Sequence, residues 1–263
     1  MTKNLITTNN KSMKVKWLLV LSFLFISSLS LNYVSAEQGE KERVIIYQTT
    51  INACYDEEME TLVLSAVQKE GSPLYEDIKI TVFENKSGKL ISTLRPRINY
   101  GYNPTVTPID FDGNGVYELF FTAKSNLSSD LSSFYVFGCN SEEFSTFYDF
   151  ETDVFQFNAK YKNYYKAELN LEKETYLIDI SNKDINNLSK LYNENGKLYK
   201  ECKLSLSSVK AVIPTYLSDK NGYNLFIIRD VFGYDSGDII CRVATSLSLS
   251  NSTFTRNSTA VIL

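Results

Sequence analysis

The chain contains no histidine. That absence excludes Ser-His and Cys-His nucleophilic pairs and every zinc site built on imidazole. Tryptophan occurs once, as Trp17, while glycine and proline are modest, at 11 and 5 of 263 residues. The four cysteines, Cys54, Cys139, Cys202 and Cys241, are far apart and form no C-x-x-C pair. A thiolate zinc site or a thioredoxin-like motif therefore does not fit. Four cysteines can join in three ways or stay as buried thiols, and spacing does not choose among these. No basic patch offsets the formal charge of −4, which argues against nucleic acid or anionic lipid as a partner.

What is present begins with a targeting pattern. Lys11, Lys14 and Lys16 precede an apolar run from Trp17 to Leu31, and Val34-Ser35-Ala36 offers a small-residue cleavage site. The run is short and broken by serines, against about 20 apolar residues for a membrane span. We expect residues 1–36 to be a signal peptide, with Met13 as an alternative start and a retained anchor as the alternative fate. Cleavage would leave residues 37–263, and removing four lysines and no acids would take the charge to 23 minus 31, or −8. The expected location is secreted, extracellular or envelope-associated, with no membrane span in the mature chain.

The remainder is rich in tyrosine and phenylalanine, 18 and 16 residues, a mix that suits β-structure. Residues 37–44 read as a charged linker and 45–263 as one β-rich domain with two related halves. Asp77 to Phe83 alternates with period two, Asn85-Lys86-Ser87-Gly88 is a turn, and Lys89 to Leu94 returns, which is a hairpin signal. Further strands are expected at 44–47, 61–67, 117–123, 134–137, 144–150, 154–157, 164–169, 176–180, 223–228 and 239–249. Residues 99–108 read as an irregular connection, and only 187–192 as a short helix. Short, evenly spaced strands argue for an all-β sandwich, barrel or propeller.

The most specific chemistry lies in Asp110-Phe111-Asp112-Gly113-Asn114-Gly115-Val116-Tyr117-Glu118-Leu119. Counted from Asp110, side-chain oxygens fall at positions 1, 3, 5 and 9, a backbone carbonyl at 7 and glycine at 6, the arrangement by which a loop wraps Ca²⁺. The candidate ligands are Asp110, Asp112, Asn114, the Val116 carbonyl and Glu118. An EF-hand is disfavoured, because position 12 is Phe121 and the flanks read as strands. The bland alternative is a hairpin turn in which Asp and Asn act as turn formers. Residues 108–120 also align without gaps on 214–226, an offset of 106 residues, with Tyr216, Ser218 and Asn224 replacing Asp110, Asp112 and Glu118. Only the first copy is expected to bind metal.

The loop resembles the D-x-D-G-D-G-x-x-D-L signature of FG-GAP and VCBS repeat proteins. Gly101-Tyr102-Asn103-Pro104, Tyr148-Asp149-Phe150, Tyr161-Lys162-Asn163-Tyr164 and Asn195-Gly196-Lys197-Leu198 extend that resemblance to exported bacterial VCBS-type proteins over roughly residues 60–247. It implies a β-propeller-like arrangement with a calcium loop between strands and no catalytic machinery. Because the chain is short for a seven-bladed ring, the fold expected is a small or partial propeller, with a β-sandwich as the alternative. Asn114 departs from the signature by replacing an acid.

Other acids invite comparison with carboxylate-driven glycoside hydrolysis: Asp149, Glu151 and Asp153 cluster, as do Asp235 and Asp238. Solvated turns are the simpler reading of both. Tyr161, Tyr164 and Tyr165 could stack on sugars or pack across strands. The function expected is therefore an exported, calcium-stabilised β-repeat protein, a non-catalytic binding or cell-surface module with Ca²⁺ as cofactor and a protein or carbohydrate ligand. The alternatives are a secreted carboxylate-dependent glycoside hydrolase and a structural envelope or coat component.

Overall fold

In a computed structural model, the residues described are 42–54, 58–127, 132–140, 143–171, 174–218, 221–235 and 237–263. The expected signal peptide lies outside the described residues. The remainder from Arg43 to Leu263 forms one compact unit. It is built from antiparallel meanders taken in chain order. The first sheet holds β1 (Val44–Ile51), β2 (Glu60–Gln68), β3 (Tyr75–Glu84) and β4 (Leu90–Leu94). The second holds β5 (Tyr102–Ile109), β6 (Glu118–Lys124), β7 (Ser132–Asn140) and β8 (Glu143–Asp149). A third, three-stranded sheet joins β9 (Asn158–Lys162), β10 (Lys166–Leu171) and β11 (Glu174–Asp179). After a helix, α1 (Ile185–Leu191), come β12 (Ser205–Leu206), β13 (Ala211–Leu217), β14 (Gly222–Phe232), β15 (Ile239–Ser250) and β16 (Thr253–Ile262), which make the fourth.

The central strands of the second sheet, β6 and β7, are buried on both faces, which explains their unbroken apolar runs. Leu119, Phe121, Tyr135, Phe137 and Cys139 point one way, into a core shared with Leu62, Leu64, Ile78 and Ile80 of the first sheet. Phe120, Phe134, Val136 and Tyr148 point the other way, toward Val212, Leu225, Ile227, Leu247 and Leu249 of the fourth sheet. A further core joins the third sheet and α1 to Val231, Cys241 and Val243, farther along β14 and β15. The fold is all-β, and this face-to-face packing fits the sandwich alternative. Among the described residues no propeller ring is seen.

Two expectations about elements are corrected. Residues 102–109 are strand β5 rather than an irregular connection, despite Pro104 and Pro108. β5 is an outer strand of its sheet, and a register shift falls between Tyr102 and Thr105; an edge or a bulge is where a missing N–H is tolerated. Residues 154–157 are not a strand but a link outside regular structure. Strands β9, β12, β13 and β16 were not anticipated.

A buried charge sits where two of the cores meet. Leu225, Ile227, Arg229 and Val231 share one face of β14, and Arg229 is only 3% exposed. Its guanidinium pairs with Asp153 at 2.8 Å and lies over the Phe155 ring at 5.3 Å, and the Tyr148 hydroxyl donates to the same Asp153 oxygen at 3.0 Å. Removing one member of such a pair leaves the other charged and dry. Arg229→Met is expected to lower unfolding free energy by about 3–5 kcal/mol, measured by urea melts. Arg229→Met with Asp153→Asn should recover much of that loss. A single-variant cost below about 1 kcal/mol would show that the pair is dispensable.

Candidate functional site

The acidic loop is the connection between β5 and β6. Phe111 and Val116 are buried and anchor it, the Phe111 ring meeting Phe254 and Tyr223 edge-on at 5.3 and 6.4 Å. Asp110 caps the turn: one carboxylate oxygen accepts from the N–H groups of Gly113 (2.8 Å) and Asn114 (3.0 Å), the other from Gly115 (2.9 Å). Asn114 Oδ1 accepts from the Val116 N–H at 2.7 Å, an Asx-type turn. A Cβ on Gly115 would meet open space, so its φ of +87°, not crowding, is what favours glycine there.

Glu118, at the far side of the turn, is 5% exposed and accepts from the Phe111 N–H at 3.0 Å. Burial pushes its carboxyl up to about 7; the Phe111 N–H pulls it down, and the negative charges of Asp112 and Asp110 push it further up. The expected ligand set therefore divides. Asp110 and Asn114 accept from the loop's own backbone, Glu118 is buried beneath it, and Asp112 is exposed. Among the described residues no three or more His, Cys, Asp or Glu side chains are grouped so as to hold an ion.

The alignment of 108–120 with 214–226 has a structural counterpart. Pro108 pairs with Leu119 and Pro214 with Leu225, and Ile109 with Glu118 as Thr215 with Asn224. The two hairpins share one register, and they touch: the Tyr223 N–H donates to the Phe111 carbonyl at 3.0 Å. Gly222 makes this possible, since a Cβ there would stand 2.5 Å from that carbonyl oxygen. A third hairpin, not read from the sequence, has the same span. Ile51 pairs with Glu60, and the Glu60 carboxylate, 1% exposed, accepts from the Ala53 N–H at 2.6 Å. Glu60 and Glu118 each open an apolar strand and each reach back seven residues to a backbone N–H. An acid at the head of an apolar run was the available signal.

The other acids are held by distant cations and phenols. Asp149 pairs with Arg97 at 2.7 Å, and Glu151 with Arg97 at 3.7 Å and the Tyr135 hydroxyl at 3.3 Å. Asp153 faces Arg229, as above. Asp235 accepts from the Gly237 N–H at 3.0 Å within its own turn. Arg95, Arg97, Tyr135, Thr146, Asp149 and Thr152 line a cleft of about 390 Å³. Of the three tyrosines considered for sugar stacking, Tyr161 is buried, Tyr165 packs on Tyr192 at 4.8 Å, and only Tyr164 is exposed, at the β9–β10 turn. Cys54 and Cys139 are joined, 85 residues apart, while Cys202 and Cys241 are free.

Comparison with known proteins changes the family reading. A family described as the YybI C-terminal domain matches residues 155–262. The uncharacterized protein YybI of Bacillus subtilis (strain 168) is 23% identical over 230 residues, covering 86% of this chain and 87% of that protein. No solved structure matches. The resemblance to VCBS and FG-GAP repeats is thereby overturned: the matching family is a different one, and no VCBS or FG-GAP family matches. That resemblance spanned roughly residues 60–247, but its most specific part was the one short loop. Alternating Asp, Asn and Gly also satisfy a backbone-capped hairpin turn, which is how Asp110 and Asn114 are used. No helix among the described residues is long and apolar enough to cross a membrane.

The raised Glu118 predicts a pH dependence with a definite sign. The folded state holds this proton more tightly than the unfolded chain, so the contribution is fully present below about 4.5 and is lost as pH rises through about 7. Glu118→Gln keeps an acceptor for the Phe111 N–H and removes the titration. Urea melts at pH 4.5, 6 and 7.5 should show that variant gaining stability over the parent by roughly 1–3 kcal/mol toward the higher pH. A constant difference across the range would contradict the assignment.

Proposed function

We propose that this chain is an exported, non-catalytic β-structured module that presents a binding surface outside the cell, with the loop at 110–118 braced by Ca²⁺. The observation that carries the non-catalytic reading is the pairing of the candidate acids. Asp149, Glu151 and Asp153 engage Arg97 and Arg229, which favours carboxylates that hold the fold over a pair poised to give and take protons. The cleft beside Arg95 and Arg97, with Thr146, Asp149 and Thr152 on its walls, offers hydrogen-bond donors and acceptors to a protein or carbohydrate ligand.

The calcium reading is supported by chemistry. Asp110, Asp112, Asn114, the Val116 carbonyl and Glu118 are an all-oxygen set suited to a hard cation. Asp112 and Asp110 both raise the cost of ionising buried Glu118. A divalent cation would relieve that repulsion and brace the turn. The second hairpin has Tyr216, Ser218 and Asn224 at the corresponding positions and lacks those charges.

An ion that binds only the folded state at a hundredfold excess over its Kd adds about 2.7 kcal/mol. For a domain of this size that is about 5–10 °C in melting temperature. Calorimetry with millimolar Ca²⁺ against chelator should show a rise of that order, absent in Asp110→Ala/Asp112→Ala and kept in Ser218→Ala. Equal melting temperatures with and without Ca²⁺ in the parent would overturn the cation reading. Turnover on a polysaccharide panel, lost in Asp149→Asn, would replace the non-catalytic one.

A further inference from the structure

The β1–β2 connection begins with three consecutive residues that are each tied to something else. The Asn52 carbonyl accepts from the Tyr117 N–H at 2.8 Å, and its side-chain Nδ2 donates to the Gly115 carbonyl at 3.1 Å. The Ala53 N–H donates to buried Glu60. Cys54 is bonded to Cys139 of β7. Two of these ties end on the acidic loop and one ends on the strand beside it.

The register closes the circuit. Leu119 of β6 pairs with Phe137 of β7, so Cys139, two residues farther along β7, is level with Tyr117, two residues before Leu119. The disulfide and the Tyr117–Asn52 hydrogen bond therefore lie side by side. Together they strap the first hairpin across the point where the acidic loop enters β6. From the same loop, the Phe111 carbonyl receives the Tyr223 N–H of the fourth sheet. One covalent bond thus stands at the head of a chain of contacts that crosses three sheets.

We propose that the Cys54–Cys139 disulfide is the lock that orders the acidic loop: the loop is fixed in the oxidised chain and released in the reduced one. Cys54 and Cys139 are buried, at 3% and 5% exposure, so exchange with a thiol requires the strap to open first. The lock is accordingly set once, during folding in an oxidising compartment, and is not toggled in the finished molecule. Unlocking takes two electrons and two protons from a dithiol, which closes to its own disulfide while Cys54 and Cys139 become thiols. The ordering claim stands without the ion; its consequence for Ca²⁺ rests on the cation reading above.

The test is amide exchange by NMR on the oxidised protein and on Cys54→Ser/Cys139→Ser, each with chelator and with millimolar Ca²⁺. In chelator, the Tyr117 and Val116 amides of the variant should exchange about tenfold faster or more, while Val243, in the core shared by the third and fourth sheets, keeps its protection. Unchanged protection at Tyr117 overturns the lock. So does an equal loss at Val243, which would make the disulfide a general staple. If the double variant does not fold, Cys54→Ala/Cys139→Val, which fills the buried site with apolar groups, takes its place, and the same outcomes apply. The Ca²⁺ arm separates the two readings. Protection at Tyr117 that Ca²⁺ leaves unaltered in the oxidised protein sinks the cation reading and spares the lock.

Discussion

The double-sided burial of the second sheet is the constraint from which the other features follow. A sheet covered on both faces needs apolar side chains on both faces of its central strands, and Leu119-Phe120-Phe121 of β6 and Phe134 to Phe137 of β7 supply them. It also needs two other sheets brought against it in a fixed order, and its hairpin connection must then pass between them. The acidic loop is that connection. Its carboxylates are used where a buried strand begins and where backbone N–H groups need acceptors. Glu60 and Glu118 are costly in that position, yet each satisfies an amide that apolar surroundings would otherwise leave unpaired.

Much of the β-structure was legible because it followed period two or ran as a block of β-branched and aromatic residues. Asp77 to Phe83, Phe134 to Phe137 and Ile239 to Leu249 are such stretches. β5 was obscured by two prolines that an edge position tolerates, and β16 by its run of Thr, Ser and Asn, which resembles a loop when its pairing to β15 is unknown. The shared register of the β5–β6 and β13–β14 hairpins could be read from an alignment of thirteen residues. The β1–β2 hairpin could not, because its turn shares almost no residue types with the others.

The site was less legible, for a physical reason. Local spacing reports which oxygens lie near one another in the chain, and Asp110 to Glu118 reads well on that basis. It does not report which of them a fold will bury or spend on backbone amides. The roles of Asp149, Glu151 and Asp153 depended on cations 52 to 76 residues away in sequence, Arg97 and Arg229. The cysteine pairing likewise joins the two ends of an 85-residue span. Long-range partners decide what a carboxylate does, and a single sequence does not contain them.

Strands β14 and β15 have a consequence for how the molecule comes apart. At about 3.3 Å per residue, their 11 and 12 residues reach about 36–40 Å, far enough to serve two cores in succession. Two hydrophobic interiors threaded on the same strands cannot melt independently, so the third and fourth sheets and the far face of the second should behave as one cooperative block. The first sheet shares no strand with that block and is joined to it through the core on the near face of β6 and β7, the Asn52 hydrogen bonds and one cross-link. The segment at 155–262 that matches the family model is then not a folding unit by itself. Cut free at its own boundary, it would carry Val212, Leu225, Ile227, Leu247 and Leu249 as a bare greasy wall looking for a second sheet.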